Sequence, residues 1–424
     1  MERTIFKGNI IFTPDKDHFE IHENSYIVVE DGKVQKIVDT LGSEHMGIPV
    51  IDFGDKLIIP GYTDLHLHAP QYRNKGLGYD MELLDWLNTY TFKEEERFSD
   101  IEYAKKVYKA FFRELLQEGT LNAVMFSSIH KEATELLFEM SHETGIRAFI
   151  GKVNMDRNTT EKLKEDTQQS IQETEELILK YKSKYPDVKP IITPRFIPTC
   201  SNELLKGLGE LAAKYDIPVQ SHINENYGEI KWVKELEPDS LNYADAYNRF
   251  GLFGQTKTIM AHCVYNEENE VMLLEDHGVF SAHCPDSNAN IASGIMPLRS
   301  FLNKGMKVGL GTDISGGETL SIRQTMVSTI KASKYKWLES GKELTPLSSS
   351  EALYLATKGG GEFFGNTGSF DEGYFFDALV IDDEDLGIKE EYSLKERIER
   401  YLYLGSYRNI EHRIMKGKEL KVPD

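Results

Sequence analysis

Apolar and polar residues alternate along this chain in two different ways. Up to about residue 59, short apolar stretches are separated by turns, as in TIFKGNIIFT and SYIVVEDGKVQKIVD, where Asp31-Gly32 is a hairpin signal. From Pro60 onward, short apolar runs alternate with longer amphipathic segments, which is typical of β-α units around a parallel sheet. The strand pattern returns in FFDALVIDD and RIMKGKELKV. The pattern therefore predicts strands at both chain ends and an α/β region between them.

The apolar runs of the central region are numerous enough to form a closed barrel. Eight of them are followed by a plausible helix or loop, which is the arrangement of a (β/α)8 TIM-like barrel. The predicted strands are 61–68, 122–126, 147–154, 190–196, 218–222, 258–262, 279–283 and 307–313. We therefore predict a barrel over residues 60–369, and a small β-sandwich whose two parts are residues 1–59 and 370–424.

Composition and charge exclude several classes of protein. The chain has 424 residues, of which 40% are apolar, so it can bury a sizeable core. Its net charge of -20 and the lack of a Lys/Arg cluster argue against binding to nucleic acid or an anionic membrane. No window reaches the roughly 18 uncharged apolar residues of a membrane helix. Three widely spaced cysteines without a CxxC argue against disulfides and favour a reducing, cytoplasmic compartment.

Two histidines lie one residue apart in PGYTDLHLHAPQY, at the end of the first predicted barrel strand. Side chains at positions i and i+2 of a strand share a face, so His66 and His68 can converge on one ion. Because the chain has 12 histidines, chance alone produces this spacing roughly a third of the time. The pair by itself fits a metal site and two ordinary histidines equally well.

Three more polar residues end later predicted strands, namely His222 in PVQSHINE, His262 in TIMAHC and Asp313 in KVGLGTD. Active sites of (β/α)8 barrels lie at the carboxyl ends of the strands, so these side chains would meet there. Taken singly, each histidine also fits a hydrogen-bonded core position, and Asp313 also fits a helix N-cap. Their joint occurrence at one face favours a site.

The chemistry of this set points to hydrolysis. Imidazole nitrogens and a carboxylate oxygen suit Zn²⁺ or Fe²⁺, and such an ion lowers the pKa of a bound water to about 7. Glu225 follows His222 by three residues and lies beyond the strand end, where a carboxyl group can move protons. The alternative for Glu225 is a solvated surface glutamate.

These motifs resemble the amidohydrolase superfamily of metal-dependent hydrolases. The segments that carry the resemblance, which covers essentially the whole chain, are PGYTDLHLHAPQY, TPRF, QSHINEN, MAHC, AHCPDSNANIASG and GLGTDISGG. The resemblance implies metal ligation by His66, His68, His222 and Asp313. Dinuclear members carry a carboxylated lysine at the end of the fourth strand, where this chain has Arg195, so a single ion is expected, Zn²⁺ first and Fe²⁺ as the alternative.

Within the superfamily, the resemblance is to mononuclear deaminases and implies hydrolytic deamination of guanine to xanthine and ammonia. Gln71, Arg195 and Phe196 would bind the substrate. A guanidinium donates to the O6 carbonyl, an amide meets a ring edge that has both donor and acceptor atoms, and a phenyl ring packs on the purine face. The partners implied are this small purine and, as is common in the family, a second copy of the chain in a homodimer.

The resemblance also implies catalytic roles. Asp313 would take a proton from the attacking water, Glu225 would protonate a ring nitrogen, and His262 would lie close to the water. His222, His262 and Asp313 would then also border the substrate. Glu318, close in sequence to Asp313, either tunes the mouth of the site or is a solvated loop residue.

Other functions stay open at this point. Within the superfamily, deaminases of adenine-type nucleosides, cytosine deaminase and triazine hydrolases are alternatives, and Gln71 with Arg195 argues against them. The cytidine deaminase architecture requires His-x-Glu and Pro-Cys-x-x-Cys, and neither occurs here. A non-catalytic scaffold of the same fold is a further alternative, against which the complete set of predicted ligands argues.

Overall fold

Strands at the two ends of the chain and strands in its centre form separate sheets. In the computed structural model, which describes residues 2–387 and 391–423, the strands are Arg3–Phe12 (β1), Glu20–Glu30 (β2), Lys33–Val38 (β3), Val50–Pro60 (β4), Tyr62–His68 (β5), Thr120–Phe126 (β6), Arg147–Gly151 (β7), Val153–Asn154 (β8), Val188–Pro190 (β9), Thr193–Pro194 (β10), Val219–Ile223 (β11), Thr258–His262 (β12), Phe280–His283 (β13), Val308–Leu310 (β14), Ala378–Ile381 (β15), Ile410–Met415 (β16) and Lys418–Glu419 (β17).

Helices follow most of the central strands. The α-helices are Leu83–Trp86 (α1), Phe92–Glu95 (α2), Ile101–Gln117 (α3), Lys131–Thr144 (α4), Thr167–Tyr181 (α5), Asn202–Tyr215 (α6), Tyr227–Leu236 (α7), Tyr243–Asn248 (α8), Glu268–Asp276 (α9), Pro285–Asn290 (α10), Leu298–Asn303 (α11), Ile322–Glu339 (α12), Ser349–Tyr354 (α13) and Leu394–Leu404 (α14). Two π-helical turns, Leu87–Thr91 and Leu355–Gly359, continue α1 and α13. No described helix is long and apolar enough to cross a lipid bilayer.

The helices begin and end where local chemistry dictates. The side chain of Asp100 accepts hydrogen bonds from the backbone N–H groups of Glu102 and Tyr103 at the start of α3. Helix α4 ends at Gly145, whose φ of 79° lies in the left-handed region that favours glycine. Between these ends, α3 buries an apolar stripe that includes Val107, Phe111 and Leu115.

Both chain ends contribute to one mixed sheet, which within the described residues has seven strands in the order β17-β16-β15-β4-β1-β2-β3. Both chain ends therefore supply strands to the same sheet. This sheet has a core of its own, in which the rings of Phe6 and Phe376 lie 4.4 Å apart. The backbone N–H of Val34 in the edge strand β3 donates to the carbonyl of Tyr374, so that edge is also covered.

Eight of the described central strands form two parallel sheets of four, β5-β6-β7-β9 and β11-β12-β13-β14, and β8 pairs with β10 in a separate parallel pair. The two sheets are joined along both edges. On one side, the backbone N–H of Ile192 donates to the carbonyl of Pro218 at 2.9 Å. On the other side, the backbone N–H of Asp313 donates to the carbonyl of His66 at 2.8 Å. Strand β5 therefore lies directly beside the segment that carries Asp313.

Several predicted strands are shorter than expected. Over 190–196, the strand β10 comprises Thr193–Pro194, so Arg195 and Phe196 lie beyond it. Over 307–313, the strand is Val308–Leu310, and Asp313 lies past its end with a left-handed φ of 48°. His222 is followed by one more strand residue, Ile223. The predicted side chains still lie near the carboxyl ends, because Arg195, Phe196 and Asp313 follow the last residue of their strands by no more than three positions.

Candidate metal and active site

The four predicted metal ligands lie together in one buried cluster. His68 Nε2 is 3.1 Å from His222 Nε2, and Asp313 Oδ1 is 3.2 Å from His66 Nε2 and 3.4 Å from His68 Nε2. His66 and His68 project from β5, which pairs with β6 in one parallel sheet, whereas His222 projects from β11 in the other. Side chains more than 150 residues apart in sequence thus converge.

The chemistry of this cluster fits a divalent metal ion. The ligand atoms of His66, His68 and Asp313 all lie within 4.8 Å of one another, as do those of His66, His222 and His262. Among the described residues, His66 Nε2 and His262 Nε2 are buried without a hydrogen-bond partner. Burial lowers the pKa of His66, His68 and His222, which keeps these imidazoles neutral with a free lone pair.

Neighbouring groups orient the imidazoles. His222 Nδ1 donates to the carbonyl oxygen of Arg195 at 2.6 Å, so its Nε2 carries the lone pair that faces the cluster. His262 Nδ1 lies 2.9 Å from Asn288 Oδ1, and this amide oxygen likewise directs His262 Nε2 inward. The ring of Phe126 packs at 4.5 Å from His68 and 4.9 Å from His222.

Asp313 is held by partners that the sequence reasoning did not identify. Its Oδ2 accepts a hydrogen bond of 2.5 Å from Ser287 Oγ. Beneath it, the fully buried carboxylate of Asp64 accepts from the backbone N–H groups of His66 and Thr312, both at 3.1 Å, and from the Thr312 hydroxyl. Asp64 thus ties the strand of the histidine pair to the segment of Asp313. Its position two residues before His66, on the same strand face, was an available signal.

Glu225 is a buried residue and not a solvated surface glutamate. Its side chain lies within the cluster, with Oε2 3.3 Å from His262 Nε2, and Ser293 Oγ donates to Oε1 at 2.9 Å. Burial, together with the nearby charge of Asp313, raises the pKa of Glu225 to about 8. At pH 7 the side chain therefore holds a proton that it can donate.

A second buried carboxylate, that of Glu229, holds the loop that carries Glu225. Glu229 accepts hydrogen bonds from the backbone N–H of Glu225 at 3.0 Å and from the Tyr243 hydroxyl at 2.6 Å. Burial raises the pKa of Glu229 to about 7, and the charge of Glu225 contributes to this shift. The sequence reasoning missed Glu229, because its position at the start of α7 suggests only a helix-capping role.

A cavity opens above this cluster. It is lined on one side by His68, His222, Glu225, Glu229, His262 and Asp313, and on the other by Gln71, Leu83, Trp86, Leu87, Arg195, Phe196 and Ile291. The cavity wall therefore contains all six residues predicted to bind or border the substrate, namely Gln71, Arg195, Phe196, His222, His262 and Asp313. The apolar part comes mostly from α1 and the π-helical turn that follows it.

A residue that no sequence motif indicated connects two of these wall residues. Glu95, at the end of α2, is 1% exposed, and its two carboxylate oxygens have different partners. Oε1 accepts from Gln71 Nε2 at 2.8 Å, and Oε2 accepts from Arg195 Nη1 at 2.6 Å. Glu95 belongs to an acidic run, FKEEERF, that looks like an exposed helix face.

Glu318 lies away from this cavity wall. Its side chain is exposed and accepts a hydrogen bond of 2.7 Å from Asn290 Nδ2. Of the two interpretations, the solvated loop residue matches this environment. Asn288, two residues before Asn290, instead contacts His262. Within the DSNAN segment, Asn288 therefore lies in the site and Asn290 lies on its rim.

Known proteins resemble this chain in sequence and in fold. The model of the Amidohydrolase family matches residues 57–420, and the chain belongs to that family. Guanine deaminase of Dictyostelium discoideum is 39% identical over 98% of each chain, and guanine deaminase of Escherichia coli K12 is 35% identical over 93% of this chain and 91% of its own. The crystal structure of guanine deaminase from C. acetobutylicum with bound guanine in the active site is 51% identical, with a TM-score of 0.98 over 99% of this chain and 100% of the other.

Proposed function

We propose that this protein catalyses the hydrolytic deamination of guanine to xanthine and ammonia. The observation that carries the proposal is that one cavity brings the His/Asp cluster, the proton-bearing Glu225 and the polar pair Gln71 and Arg195 together. The relatives described above are guanine deaminases, and their similarity extends over nearly the whole chain. A purine catabolic or salvage role follows from this reaction.

The ligands proposed for one divalent ion are His66, His68, His222 and Asp313. Neutral imidazoles with a carboxylate suit Zn²⁺, our first choice, and Fe²⁺ as the alternative. When bound, the ion supplies Lewis-acid activation of a water, whose pKa falls to about 7. Arg195 occupies the position that would carry a bridging lysine in a dinuclear site, which supports a single ion.

The chain's own carboxyl groups move the protons. Asp313 Oδ2 lies 3.9 Å from His262 Nε2 and is placed to accept a proton from the water that attacks C2 of guanine. Glu225, protonated at neutral pH, donates its proton to a ring nitrogen beside C2. The amino group then leaves as ammonia with the proton that Asp313 took from the water, and Glu225 regains a proton from the C2 hydroxyl as the C2 carbonyl forms. His262, between these two carboxyl groups, orients the water through Nε2.

The opposite wall of the cavity recognises the base. Arg195 offers N–H donors that a carbonyl at O6 accepts, and Gln71 offers both an N–H and a carbonyl to the ring edge. Phe196, which is 4% exposed, packs against the purine face. His222, His262 and Asp313 border the reacting carbon.

The proposal is tested by a panel of bases. Ammonia release and product formation are measured with guanine, adenine, cytosine, 8-oxoguanine and guanosine. We expect conversion of guanine to xanthine to have the highest kcat/KM. A preference for another base would overturn the assignment to guanine and leave a hydrolytic deaminase, whereas no turnover of any base would favour a scaffold.

The metal is tested separately by elemental analysis of the purified protein. We expect about one Zn or Fe per chain, and we expect the metal content to fall when His66 or His68 is replaced by alanine. Protein that lacks both metals, and that gains no activity when either is added, would contradict the metal-dependent mechanism.

Three wider features are proposed with this function. We infer that the two parallel sheets, hydrogen-bonded along both edges, belong to a (β/α)8 barrel over 60–369. The described strands of 1–59 and 370–424 share one mixed sheet, and the β-sandwich stays a prediction. The three cysteines are free and buried, which supports a cytoplasmic location. The homodimer stays a prediction, which light scattering of the purified protein would test.

A further inference from the structure

The side chain of Glu95 lies against the substrate-recognising wall of the cavity and has no role in the proton transfers proposed above. It is buried in the described structure, and each carboxylate oxygen accepts from a different wall residue, Gln71 or Arg195. A buried carboxylate that holds both groups at hydrogen-bond distance determines where their remaining donors and acceptors point.

The contact to Arg195 neutralises and orients a buried cation. The side chains of Arg195 and Glu95 are 3% and 1% exposed, so water does not screen this ion pair. A guanidinium carries five N–H donors in a plane, and the bond from Nη1 to Glu95 uses one of them. Phe92, on the same short helix as Glu95, lies under the guanidinium at 5.1 Å and fixes the plane.

The contact to Gln71 determines which way round its amide lies. Nε2 donates to Glu95 at 2.8 Å, and Oε1 accepts from the backbone N–H of Ser315 at 3.3 Å. A carboxylate accepts hydrogen bonds and cannot donate them, so the amide nitrogen must face Glu95. The amide keeps a second N–H and a second lone pair, which are the donor and acceptor that a purine edge requires.

We propose that Glu95 is a positioning residue that sets the specificity for a 6-oxo purine. The proposal rests on the proposed function, because it assumes that Arg195 and Gln71 face guanine. Through these two residues, Glu95 presents a fixed donor to the O6 carbonyl and a fixed donor–acceptor pair to the adjoining ring edge. Without this carboxylate, Arg195 loses its partner and the amide of Gln71 can rotate.

The test compares two substrates that differ at C6 and at the adjoining N1. 2-Aminopurine carries the same amino group at C2 but has hydrogen in place of O6 and no hydrogen on N1, so Arg195 has no carbonyl to bind and the ring edge beside it lacks the N1 donor. Glu95→Gln preserves the size of the side chain, but its amide has one oxygen for two donors. We expect KM for guanine to rise about 10- to 100-fold and kcat to change by less than about threefold. The preference for guanine over 2-aminopurine, measured as the ratio of kcat/KM, should fall about tenfold.

Glu94→Gln is the matched control, because it makes the same change one residue earlier on the same helix. Glu94 bonds to the Tyr103 hydroxyl and to Arg97 Nη1 at 3.1 Å, and it is not part of the cavity wall. Its KM and its substrate ratio should stay within about twofold of the wild type.

The possible outcomes distinguish a positioning role of Glu95 from a merely structural role, and both from failure of the proposed function. If Glu95→Gln lowers kcat/KM equally for both purines, so that the ratio of the two values is unchanged, the positioning role is overturned. If that variant does not fold, Glu95→Asp decides, since it keeps the charge but is one methylene too short to reach both partners. A reduced ratio in Glu95→Asp supports the role, and a wild-type ratio overturns it. Absence of guanine turnover in the wild type would instead refute the proposed function.

Discussion

Burial sets the protonation of Glu225, whose carboxyl group contacts His262 and Ser293. In water a glutamate ionises well below pH 7, but transfer into this cavity disfavours the charged form. The pKa of about 8 makes Glu225 a proton donor at the pH at which Asp313 is proposed to act as a base. Two carboxyl groups in one cavity thus acquire opposite roles from their surroundings.

Glu225→Gln is expected to lower kcat by about 10²- to 10⁴-fold, because an amide of the same size cannot donate and regain the proton. Metal content should be unchanged, since Glu225 is not among the proposed ligands. Turnover of guanine and elemental analysis provide the two measurements. Glu318→Gln, the same change at an exposed position, is the control and should keep wild-type turnover. Near-normal kcat in Glu225→Gln would show that another group is the acid.

Asn288→Ala removes the amide oxygen that lies 2.9 Å from His262 Nδ1. The imidazole then loses the partner that fixes its tautomer and ring orientation, and we expect kcat to fall about 10- to 100-fold with little change in KM. The control is Asn290→Ala, in the same helix, where the lost bonds go to the Gly316 carbonyl and Glu318 on the rim. Equal kcat values for the two variants would argue against the orienting role.

At the scale of elements, one more parallel strand has a buried histidine at its carboxyl end. Strand β13 ends at His283, which is 2% exposed, and its Nδ1 has no hydrogen-bond partner among the described residues. Burial, with a smaller contribution from His262, lowers the pKa of His283 to about 3. This histidine is therefore neutral in the folded protein over the whole working range of pH.

A lowered histidine pKa makes folding depend on pH in a defined direction. Below pH 6.5 the unfolded chain protonates His283 but the folded chain does not, so the free energy of unfolding falls as pH decreases towards about 3. Between pH 7.5 and 5.5 this one group should account for a loss of about 1.4 kcal/mol.

His283→Asn should remove that contribution from the pH dependence, as measured by denaturant unfolding at the two pH values. His18→Asn serves as the control, because the His18 side chain is 54% exposed. If His283→Asn shows the wild-type pH dependence, His283 is not the group responsible.

At the scale of the whole molecule, a buried ion pair joins the end sheet to the central strands. Arg147 Nη1 in β7 donates to Asp377 Oδ2 at 2.8 Å, and the side chain of Asp377 is fully buried. Asp377 directly precedes β15 in the sheet built from the chain ends. This pair links two parts of the molecule that come from distant stretches of sequence.

Asp377→Asn should destabilise the protein by about 3 kcal/mol, because it removes the fully buried carboxylate beside Arg147 and leaves only the partly exposed Asp187, 3.6 Å from Arg147 Nε. KM for guanine should not change, since neither residue is in the cavity wall. Denaturant unfolding and steady-state kinetics are the measurements. Lys214→Gln breaks an ion pair in which the lysine side chain is 60% exposed, and it should cost less than about 1 kcal/mol. Similar losses of unfolding free energy in Asp377→Asn and Lys214→Gln would contradict a special role for the buried pair.

The sequence predicted the parts of the site that follow from strand geometry. His66 and His68 share a strand face, and His262 ends the strand Thr258–His262 as predicted. The predicted strand ends at Phe196 and Asp313 were wrong, because the backbone leaves the strand conformation before these residues. Sequence patterning does not register such a departure, since the residues just beyond these two strands are as buried as the strands themselves.

The sequence by itself determined the α/β alternation, the shared strand face of His66 and His68, and the residue types of the proposed ligands and of the candidate acid Glu225, because these depend on residue type and on local spacing. Only the tertiary structure decided that Glu225 is buried and that Asp64, Asn288 and Glu95 support the site. The carboxylate of Glu95 meets Arg195 at a sequence separation of 100 residues, and no local pattern records such a contact. Burial and partnership are properties of the folded chain, and they distinguish a solvated glutamate from one that orients a substrate-binding residue.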